Sequence, residues 1–137
     1  MIKKILTDTT KERKIKVGAG QTTSFLWDGE NVFSTPSMIA EMEETCRLLL
    51  KEEFLQEEDW DSVGTLVNIR HLKATPVGTE VKLKARVIDV KDRRVTFEVD
   101  AVDKIEKIGE GLHERTVINV PEFRERFNKK LKKLETS

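Results

Sequence analysis

The chain has 137 residues, enough for one domain, residues 1–137, that buries its own hydrophobic core without disulfide or metal staples. Its 25 basic and 25 acidic residues cancel to a formal charge of +0, with 36% of positions charged, which argues against a general nucleic-acid or anionic-membrane binder. A single Cys leaves no intrachain disulfide, and the absence of a long apolar run points to a soluble, cytoplasmic protein.

In chain order, Lys14 to Val17 reads as a brief strand and Gly18-Ala19-Gly20 as a turn. The aromatic loop Phe25-Leu26-Trp27-Asp28-Gly29 follows, placed to lie over a pocket. A long helix then opens at Thr35-Pro36, where a hydroxyl suits the N-cap and proline the first helical position, and runs to about Phe54. At about 100° per residue, Met38, Ile39, Met42, Thr45, Cys46, Leu49 and Leu50 share one arc, with Glu43 at its margin. Partial desolvation disfavours a carboxylate's charged form, the usual tuning toward base or nucleophile work. Arg47 offers a plainer reading, an i, i+4 ion pair of about 0.2–0.5 kcal/mol, and the helix alone favours it. Cys46 on the apolar arc reads as a small core residue.

After an acidic connection from Gln56 to Asp61, the residues Val63, Thr65, Val67, Ile69 and His71 alternate as one face of a strand. The strand ends at the turn Ala74-Thr75-Pro76-Val77-Gly78. Three alternating strands follow: Val81 to Val87, Val95 to Ala101, and Leu112 onward to Val120. Tight turns at Lys91-Asp92-Arg93 and Lys104 to Lys107 make them an antiparallel meander with one apolar face, which the helix covers. Pro121 opens a basic amphipathic helix with Phe123, Phe127, Leu131 and Leu134 on one stripe, expected to dock on the body or on a partner subunit. The layout is α+β.

His71 shares the helix-facing side of its strand, and Thr35 stands two turns before Glu43 on a similar bearing. Hydroxyl, carboxylate and imidazole could therefore converge on one pocket. Each has a bland reading as well: Thr35 as a cap, Glu43 as an ion pair, His71 as a satisfied core histidine. Gly18-Ala19-Gly20 lacks the third glycine of a dinucleotide site, and neither His71 nor His113 has a Cys or Asp at ligand spacing, so neither cofactor nor metal is expected.

Five segments at compatible spacings carry a resemblance: Val32-Phe33-Ser34-Thr35-Pro36; Glu43 with Cys46 and Arg47 following; Gly64-Thr65; His71-Leu72-Lys73-Ala74-Thr75-Pro76; and Gly109-Glu110-Gly111-Leu112-His113-Glu114-Arg115. Together, and over most of the chain, they resemble the fluoroacetyl-CoA thioesterase family of hotdog enzymes. The resemblance implies a sheet curled round the central helix, a homodimer that can pair into a tetramer, and hydrolysis of a short-chain acyl-CoA. By the same resemblance Thr35, Glu43 and His71 form the catalytic set, with Gly64 near the thioester carbonyl and Arg115 near the acyl or CoA end. Direct attack by water and a covalent anhydride both remain open for Glu43. Gly29 and Leu26 stand where the family's lid phenylalanines would align, so fluorine selectivity does not carry over. Phe25, Trp27 and Phe33 remain to close an apolar pocket or to join the core. Lys73, Arg115 and the run Lys129 to Lys133 are the cations available to CoA phosphates. A non-catalytic acyl-CoA binding module is the alternative, and an enoyl-CoA hydratase is disfavoured because its Asp and His signature is missing.

Overall fold

A computed structural model describes residues 3–23 and 31–137. The elements are β1 (Thr10–Lys16), a short 3-10 turn (Ala19–Gln21), α1 (Thr35–Glu53), β2 (Trp60–His71), β3 (Glu80–Lys91), β4 (Arg94–Val102), β5 (Lys107–Asn119) and α2 (Val120–Glu135). The five strands form one antiparallel sheet in the order β1-β3-β4-β5-β2. Period-two alternation puts Val81, Leu83, Ala85 and Val87 of β3 and Val95, Phe97, Val99 and Ala101 of β4 into the core. Helix α1 meets them with Met38, Met42, Thr45, Cys46, Leu49 and Leu50, while Ile39 stays half-buried.

Three departures from the sequence reading have physical causes. Strand β1 starts at Thr10 rather than Lys14 because its charged side chains, Lys11, Glu12 and Arg13 among them, hide a strand that is held by its ladder to β3. Strand β5 starts at Lys107, since the Asp103 carboxylate accepts from the amides of Ile105 and Glu106 and closes the hairpin early. Gly109 and Gly111 had erased the alternation there. Gly109 leaves room for the helix: a Cβ on it would stand 2.6 Å from Met38 Sδ.

The third departure shapes the site. Strand β2 carries a β-bulge: Gly64 pairs with Arg115 but Leu66 pairs with Glu114, so Thr65 is an extra residue. Its phase therefore changes mid-strand. Ser62 and Gly64 share the inner face with Val117 and Arg115, and beyond the bulge Val67, Ile69 and His71 share it with His113, Gly111 and Gly109. Val63 and Thr65 do not lie on the face of His71, as uninterrupted alternation predicted.

Helix α2 is capped by Asn119, whose side chain accepts from the Glu122 amide. It buries no residue, and Phe127 and Leu134 are 53% and 61% exposed. The apolar stripe is therefore not buried against the rest of the chain. No described helix is long and apolar enough to cross a membrane.

Candidate active site

Helix α1 is capped one residue earlier than expected. Ser34 is the N-cap and its hydroxyl accepts from the Ser37 amide, so Thr35 is the first helical residue and Pro36 the second. The capping role assigned to Thr35 is thus filled by its neighbour. The freed Thr35 Oγ1 lies 2.8 Å from His71 Nδ1, at the far end of β2. These two side chains line a cavity of about 290 Å³ with Thr23, Val32, Phe33 and Lys73. Phe33 is itself fully buried, so it serves the core as well as the cavity wall.

His71 Nε2 is buried and has no hydrogen-bond partner among the described residues. A buried polar atom left unpaired costs free energy, which a bound ligand can recover. Burial pushes the His71 imidazole below its ordinary pKa, with the Lys73 backbone pulling weakly the other way, so the ring is neutral at pH 7.

Glu43 occupies a second locus, eight residues or about 12 Å further along the helix. The anticipated ion pair with Arg47 does not form. Arg47 instead bonds Glu44 at 2.7 Å and Asp61 at 3.3 Å, leaving Glu43 to face β2. There it meets Gly64: a Cβ on that residue would stand 3.3 Å from Glu43 Oε1.

Arg115 belongs to this second locus and not to the cavity. It is buried, with Nε donating to Ser62 Oγ and Nη2 to the Ser62 carbonyl, both at 2.8 Å. A guanidinium so enclosed does not reach a solvated phosphate, whereas Lys73 lines the cavity and the α2 lysines are exposed. Burial also pushes the Cys46 thiol far up, consistent with a core residue. Among the described residues no cluster of His, Cys, Asp and Glu could hold a metal ion.

The structure brings Thr35 and His71 together and sets Glu43, Gly64 and Arg115 apart from them. The loop 24–30, with Phe25, Leu26, Trp27 and Gly29, lies outside the described residues. From the sequence, His113 is excluded as a metal ligand and takes no role beyond its place in the segment Gly109 to Arg115. The usable signal was that His113 and Arg115, two residues apart on an alternating strand, had to share a buried face.

The family model of the fluoroacetyl-CoA-specific thioesterase matches residues 17–121. The chain belongs to the fluoroacetyl-CoA-specific thioesterase family. It is 35% identical over 99 residues to the fluoroacetyl-CoA thioesterase of Streptantibioticus cattleyicolor, covering 72% of this chain and 70% of that one. The crystallised fluoroacetyl-CoA thioesterase superposes with a TM-score of 0.83 at 27% identity, over 93% of this chain and 98% of that one. A mutant of that enzyme holding fluoroacetate and CoA superposes at 0.79 and 28% identity, over 87% and 99%. A hypothetical protein of Thermus thermophilus, a thioesterase superfamily member, superposes at 0.87 and 23% identity, over 98% of both chains, which speaks for the hotdog fold alone. Helix α2 lies almost wholly beyond the stretch the family model matches.

Proposed function

We propose that the protein hydrolyses a short-chain acyl-CoA thioester to the free acid and CoA, as a homodimer, with Thr35, Glu43 and His71 as its catalytic set. The observation that carries the reading is the orphaned His71 Nε2, held in place by Thr35 at the mouth of a cavity. Family membership supplies the reaction class.

Two unconnected loci in one protomer need a second chain, and β2 offers the place. It is an edge strand of twelve residues carrying exposed Leu66 and Val67, whereas the opposite edge, β1, is short and studded with Lys11, Glu12, Lys14 and Lys16. Antiparallel pairing of β2 with a second copy, about an axis at Asn68, lays Gly64 and Glu43 of one protomer beside the partner's His71 and the partner's Thr35. Each dimer then holds two composite sites.

In such a site Glu43 attacks the thioester carbonyl directly or through a water it deprotonates. A C–O bond forms, the C–S bond breaks and the thiolate of CoA departs; after direct attack, a water then adds to the acyl–Glu43 anhydride, releasing the acid and restoring the carboxylate. The reaction needs the tautomer in which the Thr35 hydroxyl donates to Nδ1 across their 2.8 Å contact and the His71 proton sits on Nε2, where it can donate to the carbonyl oxygen or the departing sulfur. Gly64 keeps the approach over the strand free of a side chain.

The test is thiol release from acyl-CoAs of graded chain length by wild type and Glu43→Gln. Release that disappears in the variant is the expected result. Tight acyl-CoA binding without release by wild type would replace the enzyme with the binding module.

A further inference from the structure

The floor under Gly64 is crowded by three side chains. A Cβ built on Gly64 would stand 3.1 Å from His113 Cε1, 3.3 Å from Glu43 Oε1 and 3.6 Å from Arg115 Nη1, so the three converge on one point. His113 is fully buried, and both its ring nitrogens are engaged. Nδ1 lies 2.8 Å from the Leu66 carbonyl oxygen, and Nε2 lies 3.2 Å from Arg115 Nη1. A carbonyl only accepts and a guanidinium only donates, so the proton resides on Nδ1 and Nε2 presents its lone pair to Arg115. Burial, seconded by the Arg115 charge, lowers the imidazole's pKa and keeps it neutral despite the opposing pull of the Leu66 carbonyl.

Arg115 is a buried cation that makes no ion pair with any described carboxylate. Its Nε and Nη2 each donate to Ser62, and Glu43 is among the acids whose charge it feels through space. Removing the Nε2 acceptor would leave a buried N–H of Arg115 without a partner, and the guanidinium would re-aim to satisfy it.

We propose that His113 is a positioning residue for the reaction assigned to Glu43: by accepting from Arg115 Nη1 it fixes the guanidinium that draws the Glu43 carboxylate over Gly64. The inference rests on the thioesterase reading and adds to it a residue that touches neither substrate nor water. His113 also grips the Leu66 carbonyl at the bulge, so a purely structural role is the competing account.

The two ring nitrogens separate these roles. In His113→Gln the amide reaches the place of Nε2 and keeps an acceptor for Arg115. In His113→Asn the amide reaches only the place of Nδ1 and keeps the Leu66 bond, and His113→Leu keeps neither. The expected result is kcat within about threefold of wild type for Gln, a drop of about 10- to 100-fold for Asn and Leu, and KM for the acyl-CoA nearly constant throughout. Asn matching or exceeding Gln would reduce His113 to an anchor for the bulge, and an unchanged Leu variant would remove any role. Wild-type protein supplies a readout independent of variant folding: nitrogen-15 spectra of the imidazole should show the Nδ1–H tautomer at pH 7. An Nε2–H tautomer or an imidazolium would overturn the proposal. If wild type releases no thiol, the thioesterase reading falls while the tautomer still decides the His113–Arg115 contact.

Discussion

Two inactive variants should restore activity when mixed. In one protomer Gly64 and His71 lie seven positions apart along β2, one of them absorbed by the bulge, which at about 3.3 Å per residue separates them by roughly 20 Å. No single bound thioester carbonyl touches both. In the twofold dimer proposed above, each site takes Glu43 from one chain and the partner's His71 from the other. A dimer of one Glu43→Gln chain and one His71→Ala chain therefore has one site with both defects and one with neither. Random reassortment makes about half the dimers mixed, each with one intact site of two, so about one quarter of wild-type activity should return from parents with almost none. The assay is thiol release before and after the variants are co-refolded, with mixed dimers counted by native mass spectrometry. If mixed dimers form and activity stays at the mean of the parents, the catalytic set lies within one protomer and the composite site is wrong.

Four further outcomes follow from the geometry. Ser34→Ala removes the cap of α1 and should cost about 1 kcal/mol of stability, lowering Tm with turnover kept. Thr35→Ala should do the reverse, sparing Tm and lowering kcat, because its hydroxyl bonds His71. Gly64→Ala forces a methyl against a histidine ring pinned at both nitrogens, so Glu43 must yield by a few tenths of an ångström; a stability loss of about 1–3 kcal/mol and a roughly tenfold fall in kcat are expected from melting curves and kinetics. Finally, His71 and His113 both have pKa values lowered by burial from the ordinary 6.5. As pH falls through that value the unfolded chain takes up protons the folded chain refuses, so stability is full above pH 6.5 and declines below it. Denaturant titrations from pH 8 to 5 should show this decline, and it should be shallower in His113→Gln.

Alternation alone exposed β3 and β4, because their partners cover one face and leave Lys84 and Glu98 on the other. It failed on β2, where Thr65 shifts the phase, since no residue type marks a bulge that a neighbouring strand imposes. The helix arc was legible down to Cys46, yet the fate of Glu43 was not: whether Arg47 takes Glu43 or Glu44 depends on Asp61, which arrives from another element. Ser34 and Thr35 are equally good caps by type, and only the position of His71 tells them apart. Arg115 stands out in the sequence through the family resemblance, whereas its burial comes from its β5 register opposite Gly64.

The two margins of the sheet differ in a way that bears on growth as well as on pairing. A sheet with two receptive margins adds chains without end, the route to fibres, while one with none stays solitary. Here lysine-rich β1 repels a further strand and β2 invites one, so a second chain that meets β2 in antiparallel fashion presents only another β1 outward. In the dimer proposed above, accretion through strand addition would terminate after a single step, and a mutation neutralising the lysines of β1 would remove that stop.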